Sequence, residues 1–225
     1  MPGDRLLVFL PGFMSSAASY RSLLEPLTAD GISVVVPQLY KRGLGALTGR
    51  ATVEQEARDA ADLVREVARS QPRVVLAGHS RGGQAAWRAA NLLAAEGLPA
   101  GLVLVDPVDG SGRSPSARTA TAADAVFASP CVVVGAGIGG RCAPEPVNHA
   151  AFAAATPRAR HLVVTRLGHG DVLDERPRAS ARRVCGGAED PEPGRAVVTH
   201  VLAAVLLGDD SRLPEASDLV QWRRR

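Results

Sequence analysis

Residues 78–83 read Gly-His-Ser-Arg-Gly-Gly, directly after the apolar run 74–77 and directly before the helical stretch Gln84-Ala85-Ala86-Trp87. This is G-x-S-x-G between a strand and a helix, the setting that gives the motif its meaning. So tight a bend forces the serine into a strained backbone conformation, and side chains at positions 78 and 82 would strike the neighbouring strand and helix. Glycine at both places removes the clash. Ser80 is then raised at the carboxyl edge of a sheet. The amide of Arg81 and the start of the following helix point at the place where negative charge would develop. The chemistry implied is nucleophilic attack by a serine hydroxyl.

A serine is a weak nucleophile until a base takes its proton, so a histidine must come from elsewhere in the chain. Five are present. His79 points away as the motif's neighbour, His161 opens a strand, His200 lies inside the last helix, and His149 follows Asn148 at a helix start. His169 follows the last strand, in Leu167-Gly168-His169-Gly170-Asp171, and completes the chain order serine, acid, histidine. The acid belongs between them, at the carboxyl end of a strand. Asp106 ends the run 102–105 before Pro107 and could accept the second ring proton of His169; Asp109 and Glu145 are its competitors. An oxyanion needs another donor besides the Arg81 amide. The loop Leu10-Pro11-Gly12-Phe13-Met14 offers the Phe13 amide first and Met14 second.

Those side chains need a frame. Short apolar runs at 6–10, 33–36, 74–77, 102–105, 132–134 and 161–165 alternate with helical periodicity, the pattern of βα units in a mostly parallel sheet. Helices are expected over 52–70, opened by Thr52 and Gln55 in a capping-box pattern, over 82–96, closed by Gly97 and Pro99, and over 196–207. Two stretches read as loops, 107–121 and 176–194, both long enough to line a site. Gly135-Ala136-Gly137-Ile138-Gly139-Gly140 matches a dinucleotide fingerprint. Pro144 and Pro146 leave no helix start to hold a pyrophosphate, so these glycines read as a loop near the pocket.

Composition narrows the function. With 46% hydrophobic and 22% charged residues the chain is globular and has no disordered character. The net charge of +3 resides in Arg223, Arg224 and Arg225; without them basic and acidic residues balance at 23 each. Only 4% of residues are aromatic, so a nucleic-acid partner is not expected. No apolar run is long enough to span a bilayer. The first ten residues lack the charged, apolar and small-residue zones of a secretory signal, which makes the cytoplasm the default location. Cys131, Cys142 and Cys185 leave one thiol over in any pairing and form no C-x-x-C. Reduced structural cysteines are favoured, with a pairing of Cys142 with Cys185 left open, and no metal is expected. No cofactor is required, and nothing in the sequence sets an oligomeric state.

Several blocks together resemble chlorophyllases. They are Pro37-Gln38-Leu39-Tyr40, the serine motif, Asp106-Pro107-Val108-Asp109-Gly110, Cys142-Ala143-Pro144-Glu145 with Asn148-His149 and Phe152, and Gly168-His169 with Asp171, Leu173 and Asp174. The resemblance implies an α/β-hydrolase fold, with a mostly parallel central sheet, helices on both faces and a minimal lid. It also implies one domain over 1–225 with a basic tail from about 212, and a triad of Ser80, Asp106 and His169 that cleaves a small hydrophobic carboxylic ester. In that family the ester is the phytyl ester of chlorophyll. Met14, Leu39, Tyr40 and Val108 are then expected against the substrate. Pro11 departs from the histidine such enzymes usually carry before the oxyanion glycine. The alternatives are a thioesterase, acyltransferase or cyclase using the same acyl-enzyme and, from another class, a binding protein that kept the fold.

Overall fold

The computed structural model describes residues 4–38, 52–110, 125–145 and 147–223. Seven strands form one sheet: β1 (Arg5–Leu10), β2 (Ser33–Val35), β3 (Arg73–His79), β4 (Gly101–Val105), β5 (Cys131–Ile138), β6 (Arg160–Gly168) and β7 (Val220–Trp222). Their order is β2-β1-β3-β4-β5-β6-β7, parallel throughout except for β7, which runs antiparallel on β6. Among the described residues, the α-helices are α1 (Arg21–Ala29), α2 (Val53–Ala68), α3 (Arg81–Leu92), α4 (His149–Ala154), α5 (Glu175–Cys185) and α6 (Glu192–Leu207).

The strands are apolar on both faces because helices cover both. Alternation along β1 shows the sorting. Leu7 and Phe9 join a core with α1 and α6, through Leu23, Leu27, Val198, Val201 and Leu202. Leu6, Val8 and Leu10 join a second core with α2, α3 and Phe152 of α4, through Ala60, Val64, Ala86 and Ala90. From β1 the chain moves outward to β2, then returns to the other side of β1 as β3. Strand order therefore reverses between β1 and β3, and the loops leaving their carboxyl ends flank the crevice where open α/β sheets bind ligands. The loop after β1 carries Phe13, and the turn after β3 carries Ser80.

Four expectations need correction. Residues 176–194 are not a loop: α5 occupies Glu175–Cys185, and α6 begins at Glu192. Pro177 sits in the first turn of α5 and Pro193 in that of α6, where no intrahelical N–H is missed. The prolines therefore mark helix starts, and Gly186 ends α5 at φ 74°. Residues 135–138 are not a loop either, since β5 continues through Ile138. Glycine is needed there because a Cβ at Gly135 would lie 2.5 Å from the His149 ring, and one at Gly137 would lie 2.6 Å from the Thr165 backbone on β6. Cys142 and Cys185 are joined in a disulfide, leaving only Cys131 as a buried thiol. Lastly, part of the expected tail is structured, with Val220–Trp222 pairing on Leu162–Val164.

The helix expectations otherwise fall close to place. Thr52 caps α2 by accepting the Gln55 N–H at 3.2 Å. Residues 39–51 and 111–124, which include Leu39, Tyr40 and most of the loop expected over 107–121, lie outside the described residues. Among the described residues, no helix is long and apolar enough to cross a membrane.

Candidate active site

The turn after β3 has the geometry the glycines foretell. Ser80 stands at φ 55°, ψ −122°, a conformation that costs a side-chain-bearing residue on the order of 1–3 kcal/mol. A Cβ at Gly78 would lie 2.3 Å from the Gly82 carbonyl oxygen, and one at Gly82 would lie 2.2 Å from that of Leu10. The first backbone bond of α3 runs from Gln84 N–H to Ser80 C=O at 3.2 Å, so the helix opens at the serine. Val105 C=O accepts the Ser80 N–H at 3.1 Å, while Val108 N–H donates to Ser80 C=O at 3.2 Å. The serine backbone is thus tied to β4 and the loop beyond it.

Three side chains stand in sequence. Ser80 Oγ lies 3.0 Å from His169 Nε2, and His169 Nδ1 lies 2.7 Å from Asp106 Oδ2. A carboxylate can only accept, so Nδ1 carries the proton and Nε2 presents its lone pair to the hydroxyl. Asp106, at φ 39°, is pinned to the next strand: its amide donates to Val134 C=O at 2.7 Å, and its Oδ1 accepts the Ala136 N–H at 3.1 Å. Burial pushes the Asp106 carboxyl up. The hydrogen bond and charge of His169, the charge of His149 and the Ala136 amide outweigh it and hold the group below its ordinary value. The competitors stand elsewhere. Asp109 accepts the Gln84 side-chain amide at 2.6 Å, and Glu145 is exposed.

Phe13 and Met14 form the tip of a turn closed by Ser15 N–H to Gly12 C=O at 3.0 Å, with Met14 at φ 60°. The two residues are 47% and 77% exposed. The Phe13 ring lies over the Arg81 guanidinium at 5.9 Å. Arg81 in turn holds buried Glu56 of α2 through Nε at 2.9 Å and a terminal nitrogen at 2.6 Å, so its side chain ties the turn to α2. Val108 is set back from any open surface, packed against Ala143 and Val147.

The segment bearing His169 is held by residues whose roles the sequence does not announce. Asp171, fully buried, accepts the N–H groups of Gly168 and Ala188 on Oδ2, both at 2.7 Å. Arg195 of α6 is buried as well. It donates to the carbonyls of Asp171 and Leu173 at 2.8 and 2.6 Å, and to Ser22 Oγ. The Cys142–Cys185 bridge links the loop after β5 to the end of α5. His149 and His161, both set aside as bases, face one another at 2.8 Å from Nδ1 to Nε2. Burial lowers both, His161 to about 4. Among the described residues, no group of three or more His, Cys, Asp or Glu side chains could hold a metal ion.

Comparison with known proteins matches the chain to one family. The chain is 31% identical to Chlorophyllase-1, chloroplastic, of Citrus unshiu, over 89% of its own length and 67% of the relative's. It is 27% identical to Chlorophyllase-2 of Arabidopsis thaliana, over 95% and 77%. Solved structures share the fold at lower identity. The chain superposes on RedJ, from the prodiginine biosynthetic pathway of Streptomyces coelicolor, with a TM-score of 0.55 and 21% identity over 88% of this chain and 89% of that one. A putative α/β-superfamily hydrolase of Xanthomonas campestris gives 0.51 and 20% over 89% and 99%. The chlorophyllase family model matches residues 4–213, a span holding β1 to β6 and every residue of the site just described, so the chain belongs to the chlorophyllase family of carboxylic ester hydrolases.

Proposed function

We propose that the protein cleaves a hydrophobic carboxylic ester through a Ser80–His169–Asp106 triad and an acyl-enzyme. The supporting observation is the continuous hydrogen-bonded line from Ser80 Oγ through His169 to Asp106, with separations of 3.0 and 2.7 Å. His169 Nε2 takes the Ser80 proton as the oxygen attacks the ester carbonyl. Asp106 fixes the tautomer and steadies the imidazolium. The amides of Phe13 and Arg81 hold the oxyanion. His169 returns the proton to the leaving alcohol, after which water, deprotonated by the same ring, releases the acid.

Chlorophyllase relatives favour chlorophyll's phytyl ester or a similarly hydrophobic ester, accommodated beside Phe13 and Met14. The same acyl-enzyme would serve a thioesterase, an acyltransferase or a cyclase. RedJ is itself a thioesterase, and a mass-spectrometric screen of oxygen-ester, thioester and amine acceptors separates the outcomes. The disulfide fits an oxidising compartment better than the cytoplasm expected from the sequence. Ser80→Ala should reduce p-nitrophenyl ester hydrolysis by at least about 10⁴-fold and abolish labelling by a fluorophosphonate probe, with the melting curve intact. Undiminished turnover would remove Ser80 from the mechanism. A wild-type protein that the probe fails to label would favour a binding role.

A further inference from the structure

One chain of hydrogen bonds runs behind the site, through two residues the reaction does not touch. Gly12 N–H donates to Tyr20 Oη at 2.8 Å, Tyr20 Oη lies 2.8 Å from His79 Nδ1, and His79 Nε2 lies 2.9 Å from the carbonyl oxygen of His169. Tyr20 is fully buried and His79 nearly so. The protons can be assigned. A carbonyl only accepts, so His79 Nε2 bears hydrogen. In a neutral ring Nδ1 is then the acceptor, the Tyr20 hydroxyl donates to it, and the phenol oxygen remains free to accept from Gly12. Reversing the ring tautomer would set a lone pair against the His169 carbonyl and leave the phenol proton without this acceptor.

We propose that Tyr20 and His79 are positioning residues, a neutral relay that holds the oxyanion loop and the base loop at a fixed separation across Ser80. The proposal rests on the triad reading above. Gly12 begins the turn that carries Phe13, and a Cβ there would lie 3.0 Å from His79 Nδ1, 3.1 Å from Tyr20 Oη and 3.4 Å from Ser80 Cβ. His169 carries the base. Residues 12 and 169 belong to distant parts of the chain, and the relay joins them through three bonds. Imidazole suits the middle place because it presents an acceptor and a donor on opposite sides of one rigid ring.

Neutrality also matters. The rings of His79 and His169 are 4.8 Å apart, so a charged His79 would oppose the imidazolium that forms during acylation. Burial, with the charge of His169 added, drives His79 down to about 3. Burial likewise drives the Tyr20 hydroxyl up to about 12, so it remains a donor. A displacement of about 1 Å at either loop would cost on the order of 100-fold in rate.

The test uses the full chain with p-nitrophenyl butyrate. Tyr20→Phe, which strips partners from both Gly12 and His79, should lower kcat about 10- to 100-fold with KM within about twofold. His79→Asn should lower kcat as far. His79→Gln, which can keep a donor near the Nε2 position, should recover at least about fivefold over His79→Asn. Melting curves identify variants that fail to fold. Nitrogen-15 NMR of wild type and Ser80→Ala gives a reading independent of turnover: His79 should show one neutral Nε2–H ring that does not titrate from pH 5 to 9. A folded Tyr20→Phe with kcat within twofold of wild type would overturn the relay, as would a His79 that titrates in that range or carries its proton on Nδ1. Turnover retained in Ser80→Ala strikes the triad alone, because the ring spectra still judge the relay.

Discussion

The proposed nucleophile, Ser80, and the proposed base, His169, are held by different means. Around Ser80, position follows from backbone contact: Gly78 and Gly82 sit where no Cβ fits, and β3 passes straight into α3. Around His169, position follows from side chains, one of them local and the others far away in sequence. A carboxylate from Asp171, a guanidinium from Arg195 and a disulfide reaching back to Cys142 brace two short turns, closed by Asp171 N–H to Gly168 C=O at 3.0 Å and Leu173 N–H to Gly170 C=O at 3.2 Å. A nucleophile can thus be written into six consecutive residues, whereas its base must be assembled by the whole domain.

The contrast can be broken from either side. The largest effect is expected on the nucleophile side, where Gly82→Ala puts a methyl group 2.2 Å from the Leu10 carbonyl oxygen. Backbone cannot yield there cheaply, so urea unfolding should show a loss above about 4 kcal/mol, or no folded protein. On the base side, replacing Cys142 and Cys185 together by serine reopens a loop with a sequence separation of 43. Unfolding midpoints should report a loss of about 2–4 kcal/mol. Residual esterase activity should fall more steeply with temperature, since the loosened segment carries the base.

The smallest effect is on pH dependence. His79 and His161 stay neutral in the folded protein down to about 3 and about 4, each because burial disfavours the charged ring. In the unfolded chain both take protons near pH 6.5. Their folded values are depressed, so stability is full above pH 6.5 and falls as the pH drops toward 4. By pH 5 the loss is on the order of 2 kcal/mol for the buried His79 ring and smaller for His161, which is partly exposed and screened by water. Asp106 does not share that window: its carboxyl is lowered from an ordinary value near 4, so its contribution disappears only under stronger acid. Urea midpoints at pH 7.5 and 5 should therefore differ, and His161→Gln should reduce the difference. An unchanged difference would place the acid sensitivity on the nucleophile side, with His79.

Legibility in the sequence followed the same divide. Parallel strands came through as apolar runs, the serine turn as paired glycines, and α2 as a helical period behind Thr52. Each is a local pattern with a local cause. The helix α5 did not, because Arg176, Arg178, Arg182 and Arg183 leave its surface with almost no apolar period, and the prolines at its start looked like loop residues. Extension of β5 was hidden by glycines that answer to His149 and to β6, partners that only the fold brings near. Asp106 could be chosen over Asp109 by its place at the end of β4, yet what separates them physically is Gln84, which occupies Asp109. A Cys142–Cys185 pairing is open in the sequence for the same reason, since only the fold brings the two residues together.

Strand β7 has a bearing on how the molecule behaves in company. Pairing of Val220–Trp222 along β6, extended by Arg223 N–H to His161 C=O at 2.9 Å, occupies a row of main-chain donors and acceptors that would otherwise face solvent. Trimming the chain ahead of Leu219 would expose that row on the strand leading to His169 and invite a second copy to add its own strand. Self-association and loss of esterase activity would then arrive together.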